Sequence, residues 1–332
     1  MNKLLKVSLF IVLVNFHQVN AQFDQTINLL DDVVSFSENF FEPAADVLAF
    51  QAASGWITST KKTNLWDFKL GFQMNGLVVP NNKKSFQISN SDFVFFEIEG
   101  YTSMIVPTGL GNDDQCFLVG ILDGSEVRLK TPEGMQQNTL VMPYVYSELG
   151  LAYGTSLSIR YTPKSSLKGG DFKLFGIGLM HNLDQYFTKL KEKKINIASQ
   201  IVYVNQVVGL KYLSLSSESI NINVNKILST IDTYQFQLSA SKEYKKWELM
   251  ASLIANRNTF NYSVPNENLN DDSVGNDLLN QLLKTISTDS FNMLAEFSGR
   301  YGLNNNFYLQ GSVVLGKLIN TNFGIQYQFN NK

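Results

Sequence analysis

The sequence has very few of the residues that enzymes most often use for catalysis and metal binding. Its 332 residues include one cysteine, Cys116, and two histidines, His17 and His181. A single cysteine excludes an intramolecular disulfide and a zinc site made of several cysteines. The chain also lacks a G-x-x-x-x-G-K-[ST] phosphate loop and a G-x-G-x-x-G after a strand. We therefore expect a protein that is not an enzyme, with no catalytic residue, bound metal or cofactor.

Charge is also scarce. Charged residues make up 17% of the chain, below the roughly 25% of an ordinary soluble domain. The 27 Lys and Arg do not exceed the 29 Asp and Glu, which argues against a nucleic-acid-binding protein. Aromatic residues reach 12%, which excludes a largely disordered chain.

Residues 1–21 are predicted to be a cleaved secretory signal peptide. Lys3 and Lys6 precede the apolar core Val7–Val14, and small residues end at Ala21. This core is far shorter than the ~20 residues of a membrane helix, so an uncleaved anchor is the weaker alternative. No later apolar run approaches that length without charge. A location in a membrane would therefore require a closed β-barrel.

Residues 22–60 are predicted to form a short, helical, plug-like segment. Apolar residues recur there at helical spacing: Ile27, Leu30, Val33 and Val34. Pro43 predicts a break, followed by a second short helix over 44–53 and a stop at Gly55.

From Trp66 onwards the pattern alternates with a period of two. The first apolar face comprises Trp66, Phe68, Leu70, Phe72 and Met74. Similar alternation recurs in later segments, at 156–161, 195–203, 234–241, 247–254, 291–301, 307–315 and 323–329. The segment 172–182 is less regular, because its apolar phase changes midway. Alternation over about ten residues is typical of a membrane-spanning β-strand.

The connections favour a membrane barrel over a soluble sheet. The connections 242–246 and 302–306 are short, whereas 257–290 is long, as expected for periplasmic turns and outer loops. We predict an all-β fold, an antiparallel transmembrane β-barrel of about 10–14 strands over 61–332. Residues 100–142 are irregular and are interpreted as either a plug or an outer loop. A secreted β-sandwich remains the alternative, since its strands also alternate.

Charged residues on the polar strand faces are predicted to point into the barrel lumen. They are Lys69, Arg160, Glu248, Glu296 and Arg300. In a narrow barrel such charges pair and close the lumen, whereas in a wide barrel they tune selectivity. We favour pairing.

Four other features receive structural interpretations. Residues 183–190 have the spacing of a short amphipathic helix followed by lysines. This helix would rest on the lipid interface or pack under the barrel. His181 is interpreted as a strand-end residue, Cys116 as a passive thiol, and the acidic stretch 267–277 as a solvated loop without calcium-loop spacing.

The order of these parts resembles an uncharacterised family of Gram-negative outer-membrane proteins, loosely similar to the long-chain fatty-acid outer-membrane transporters. The resemblance is carried by the signal peptide, the helical segment 23–53, and the motifs WDFKLGFQMNG at 66–76, TSLSIRYTP at 155–163 and FGIGLMHNLDQYF at 175–187. It implies a barrel with an N-terminal plug and suggests a small hydrophobic ligand. The last strand, ending at Phe329, resembles the signal read by the barrel-insertion machinery.

We therefore expect an exported protein of the cell outer membrane, in contact with its lipid, that acts as a passive channel or uptake porin. The first alternative is a structural or adhesive barrel with a blocked lumen. A secreted β-sandwich binding protein is a weaker alternative, and an outer-membrane lipid hydrolase is the weakest.

Overall fold

The fold is a closed antiparallel β-barrel of ten strands whose lumen contains the N-terminal part of the chain. The computed structural model describes residues 2–167, 170–211, 214–216, 221–223, 226–264, 280–281 and 283–329. The barrel strands are β1 (Phe68–Val78), β2 (Thr139–Gly150), β3 (Thr155–Leu167), β4 (Gly170–Asn182), β5 (Ile195–Lys211), β6 (Lys226–Tyr244), β7 (Trp247–Ser263), β8 (Thr288–Gly302), β9 (Phe307–Leu315) and β10 (Ile319–Phe329). The predicted antiparallel barrel of 10–14 strands with a helical N-terminal segment is confirmed. The acidic stretch 267–277 lies outside the described residues.

The barrel is a simple meander in which each strand pairs with the next along the chain. It closes where β1 pairs with β10, with Phe68 opposite Phe329 and Met74 opposite Phe323. Closure satisfies the backbone groups of both edges, which an open sheet would leave exposed.

Apolar side chains point outwards and polar side chains point inwards. On β1, Leu70 and Phe72 are each 44% exposed, while Lys69, Gln73 and Asn75 are buried. This polarity is opposite to that of a β-sandwich, which buries its apolar faces. The β-sandwich alternative is therefore wrong.

The strand β4 alternates without interruption, although its sequence pattern changes phase. Phe172 and Leu174 are buried inside the barrel, whereas Phe175, Ile177 and Leu179 are exposed outside. The apparent change of phase arises because this part of the lumen lining is itself apolar.

The first helix, α1 (Asn2–Ala52), contains Pro43 without ending there. The predicted break at Pro43, and with it a separate helix over 44–53, is wrong. A proline inside a helix costs about 3 kcal/mol, but the apolar residues that precede and follow Pro43 are buried: Phe40, Phe41, Ala44, Ala45, Val47 and Leu48. This burial outweighs the lost hydrogen bond. None of the described helices is long and apolar enough to cross a membrane.

The predicted signal peptide lies within α1, and its cleavage after Ala21 remains a prediction. The helix ends at Ala52, and Gly55 follows with φ +71°. A Cβ atom at position 55 would lie 2.9 Å from Cγ of Asn322. Glycine therefore provides both the left-handed backbone and the close approach to the barrel wall.

The two ends of the barrel differ in their connections. At the short-turn end, where β10 finishes, the connections are 151–154, 183–194, 245–246 and 303–306. At the opposite, long-loop end they are 79–138, 168–169, 212–225, 264–287 and 316–318. The connections predicted to be short and long lie at the expected ends. The connection 183–194 contains the short helix α2 (Thr188–Glu192).

Residues 79–138 form an ordered cap at the long-loop end. The cap contains strands Ser85–Ser89 paired with Ser103–Pro107, and Glu97–Ile98, Phe117–Leu122 and Ser125–Lys130 in a second small sheet. The irregular stretch 100–142 therefore belongs mainly to this cap, and its last residues begin β2. The cap holds α1 through the buried Asp32, whose carboxylate accepts the backbone N–H groups of residues 94–96 at 2.7–2.9 Å.

The shorter elements are the two-stranded ladder Ser214–Ser216 with Asn221–Asn223, and the 3₁₀ turns Asn81–Lys83, Asn90–Asp92, Ala152–Gly154 and Asp184–Tyr186.

Candidate functional site: the plugged lumen

The N-terminal chain fills the lumen along its length. The helix α1 enters from the long-loop end and is largely buried from Leu29 to Ala52. Residues 53–63, here named the plug segment, then run without regular secondary structure towards the short-turn end. There the chain reaches β1 at Phe68. All residues from 51 to 60 are buried, so the lumen is closed in this conformation.

The lining of the lumen changes along the barrel axis. Towards the long-loop end it carries apolar side chains that pack against α1, together with the buried polar side chains of Thr233, Asn256, Asn258 and Asn292; the apolar ones include Phe172, Leu174, Val204, Ile231, Ile254, Leu294 and Val314. Towards the short-turn end it carries mainly serines, amides and charges. The apolar helix and the polar plug segment therefore each meet a lining of matching polarity.

Arg160, on β3, holds the start of the plug segment. Its Nη1 atom donates a hydrogen bond of 2.7 Å to the carbonyl oxygen of Ser54. Its guanidinium lies 4.1 Å from the ring of Trp56 and 4.5 Å from the ring of Tyr144. Arg160 is thus a buried cation stabilised by a carbonyl and two aromatic faces.

Glu296, on β8, binds the same turn of the plug segment. Its two carboxylate oxygens lie 3.1 and 3.2 Å from the backbone nitrogen of Gly55, which donates the hydrogen. Because Glu296 is fully enclosed by the barrel wall and the plug, displacing the plug would remove this donor.

Glu248, at the start of β7, makes several contacts with the plug segment. It accepts hydrogen bonds from the hydroxyl of Ser59 at 2.7 Å and from the backbone N–H of Thr60 at 3.1 Å. It also accepts a hydrogen bond from Ser241 at 2.9 Å and pairs with Arg300 at 3.6 Å. Both charged side chains of this pair are 4% exposed or less.

Lys69, on β1, pairs with a carboxylate that the sequence analysis did not single out. Its Nζ lies 2.8 Å from Oε1 of Glu148 on β2. The hydroxyl of Thr63 donates a hydrogen bond of 3.0 Å to the same oxygen. Glu148 lies in phase with the inward residues Tyr144 and Tyr146 of its strand, and this alternation is the signal that would have found it.

All five predicted lumen residues lie inside the barrel, and four of them form two distinct contact groups around the plug segment. With Glu148 they make three buried cations and three buried anions. Lys69 pairs with Glu148 and Arg300 with Glu248, whereas Arg160 and Glu296 contact the plug segment.

The polar half of the lumen contains buried polar groups that do not use all of their hydrogen-bonding capacity. Buried polar atoms without a hydrogen-bond partner in the described structure include both amide atoms of Gln73 and Oε1 of Gln200 and of Gln235. An unsatisfied buried polar group costs about 1–3 kcal/mol.

Comparison with known families identifies the chain. The profile of a family of unknown function, DUF6588, matches residues 1–329. The chain belongs to this family. None of the curated proteins compared matches the chain.

Several solved outer-membrane barrels are similar to this DUF6588 chain at low identity. The translocator domain of the autotransporter NalP from Neisseria meningitidis is 8% identical, with 87% of this chain and 97% of that chain covered and a TM-score of 0.34. A Pseudomonas aeruginosa FadL homologue is 9% identical, with coverages of 76% and 61% and a TM-score of 0.29. OmpTΔL8 of Vibrio cholerae is 8% identical, with coverages of 79% and 99% and a TM-score of 0.22. The fold of the DUF6588 chain is established by its own strand pairing.

The remaining candidates lie away from the lumen. His181 contacts the hydroxyls of Thr155 at 2.9 Å and Tyr186 at 3.0 Å, at the short-turn end. Cys116 lies in the cap, where burial raises the pKa of its thiol against a smaller opposing effect of the Thr131 hydroxyl. Within the described residues, no group of three His, Cys, Asp or Glu could hold a metal ion.

Proposed function

We propose that the protein is an outer-membrane channel that is closed by its own N-terminal chain and opens when the plug segment, and with it the end of α1, moves. The observation that supports this most strongly is the contrast between the two parts of the plug. The helix α1 is held by apolar packing and the cap, whereas residues 53–63 are held by a few polar and charged contacts.

The outer surface supports a location in a membrane. Between Tyr234 and Tyr244 on β6, ten residue steps in a tilted strand correspond to a height of about 25 Å. This is about the apolar height of an outer-membrane barrel. Aromatic pairs border this zone, with Tyr203 and Tyr234 at one end and Trp247 and Tyr301 at the other. The short turns then face the periplasm and the cap faces outwards.

Movement of the plug segment would uncover a polar strip on β6, β7 and β8. The strip consists of the buried residues Gln237, Ser239, Ser241, Ser252 and Ser298. Hydroxyls and amides suit a small, uncharged, hydrogen-bonding solute. A hydrophobic compound is the weaker candidate, because it would have to cross the polar half of the lumen.

Conductance across planar bilayers tests the proposal with the full folded chain. We expect rare openings for the native protein and frequent openings for Glu248→Gln combined with Glu296→Gln. The variant Thr60→Cys with Ser241→Cys joins two side chains whose oxygens are 2.5 Å apart. We expect this disulfide to abolish openings and dithiothreitol to restore them.

A second candidate function is a structural or adhesive barrel with a permanently blocked lumen. It is favoured by the balanced buried charges and by the close packing of α1. Silence of the Glu248→Gln, Glu296→Gln variant in the bilayer, with a native-like barrel, would support this candidate and contradict the channel. Under both proposals the protein is not an enzyme, and β10 is the segment that the insertion machinery would recognise.

A further inference from the structure

Two neighbouring connections at the short-turn end carry a concentrated positive charge. Six exposed lysines lie there: Lys189, Lys193, Lys194, Lys242, Lys245 and Lys246. We name this set the basic rim. The two parts of the rim are adjacent because Ile195 of β5 pairs with Lys242 of β6. The connections 151–154 and 303–306 at the same end contain no charged residue, so the charge lies on one side of the barrel.

Negative charge from its own chain offsets the basic rim only in part, because Glu192 is the one exposed carboxylate among the described residues of the connection 183–194. None of the six lysines forms a salt bridge within the described part of the protein. The nearby Glu243 is paired with Lys61 at 2.8 Å. The carboxylate of Asp184 is buried and lies 3.3 Å from the backbone nitrogen of Ile197. The basic rim is therefore available to anions from outside.

Aromatic side chains lie among the lysines. Tyr186 is 65% exposed, Phe187 56%, Tyr244 66% and Trp247 46%. Aromatic rings with this exposure prefer the boundary between membrane and water. Lysines at the same boundary reach the headgroup layer while their methylene chains remain against apolar surface.

We propose that the basic rim binds the headgroups of anionic phospholipids in the periplasmic leaflet. The inference rests on the proposed location and orientation in the outer membrane. A lipid is the favoured anion because the rim adjoins the apolar outer surface. Leu249 of β7, directly after the rim hairpin, is 57% exposed. An acyl chain could lie against this surface while its phosphate meets Lys242 or Lys246.

The test measures retention of lipid by the folded full chain in neutral detergent, using native mass spectrometry. The probes are dioleoylphosphatidylglycerol and dioleoylphosphatidylcholine, which differ in headgroup charge. The variant replaces all six rim lysines with glutamine. A control replaces three exposed lysines of the opposite end, Lys130, Lys173 and Lys317, with glutamine.

We expect the native protein and the control to retain phosphatidylglycerol about tenfold or more in preference to phosphatidylcholine at low salt. We expect the six-lysine variant to lose this preference. Equal retention of both lipids by the native protein would overturn the proposal, as would an equal loss in the control. Binding of soluble polyglutamate without a lipid preference would instead assign the rim to an acidic macromolecule.

Gel mobility of unheated samples separates this result from failure of the barrel itself. A native protein that shows no heat-dependent mobility would contradict the proposed membrane barrel. A heat-modifiable protein without a lipid preference would contradict only the basic rim.

Discussion

The substitution Glu248→Gln should loosen the plug segment without disrupting the barrel. It removes the negative charge beside Arg300, and both side chains are almost fully buried. Leaving a buried charge without its partner costs about 3–5 kcal/mol. Glutamine keeps one oxygen that can accept a hydrogen bond from Ser59 or Thr60. We therefore expect a cost at the lower end of this range, about 3 kcal/mol. That value corresponds to roughly a hundredfold larger population with the plug displaced.

Hydrogen exchange of the backbone amides measures this population. The N–H of Thr60 donates directly to Glu248, so peptides covering residues 53–63 report the change. We expect these amides to exchange about a hundredfold faster in Glu248→Gln than in the native protein. Amides of the barrel strands should keep their native rates.

Two variants control for general effects of charge. Asp289→Asn removes a carboxylate that is 44% exposed and paired with Arg257 away from the plug segment, where such a pair contributes little to stability. It should leave the plug amides unchanged. Glu248→Gln with Arg300→Gln removes both buried charges and should regain part of the protection. Exchange of the plug amides in Glu248→Gln within threefold of the native rate would refute the reasoning.

The remaining predictions concern the cap and the strand ends. Asp32→Ala leaves three backbone N–H groups of the cap without their acceptor, which should cost about 1–3 kcal/mol for each donor that stays buried. The cap should then be cut by protease at lower concentration. Cys116 should resist maleimide at pH 8 in the folded protein and react after heating in detergent, because burial keeps its pKa raised and its thiolate fraction low. Gly150→Ala should destabilise the barrel, because the added carbon would clash with the backbone oxygen of Asn64.

Matched control variants exist for the aspartate and glycine substitutions. Asp31→Ala alters the exposed neighbour of Asp32 and should leave protease sensitivity unchanged. Gly311→Ala adds a carbon with no atom within 4 Å and should keep the native unfolding temperature. Equal protease sensitivity of the two aspartate variants, equal stability of the two glycine variants, or rapid labelling of folded Cys116 would contradict the respective prediction.

The barrel was predictable because alternation of side chains is a local property. An outward apolar face and an inward polar face appear directly in the sequence of β1 and β6. The inward position of Arg160 or Glu296 follows from the same alternation. In β4 the signal weakened because Phe172 and Leu174 face a lumen that α1 makes apolar.

The cap and the contacts of the plug were not predictable from local patterns. The cap strands are two to six residues long and are stabilised by contacts with α1, such as those of Asp32, that are distant in sequence. The plug segment offers mainly hydroxyls and backbone groups, as at Gly55 and Ser59. Every residue except proline has a backbone N–H donor, so the sequence does not indicate which of these donors binds a given carboxylate.

The most direct measurement of the central claim is fractionation of producing cells followed by gel mobility of heated and unheated outer-membrane samples. We predict that the protein is in the outer-membrane fraction and that the unheated protein migrates differently from the heated one, because it is a folded closed barrel. Recovery of the protein from the periplasm or medium, with the same mobility before and after heating, would contradict the account.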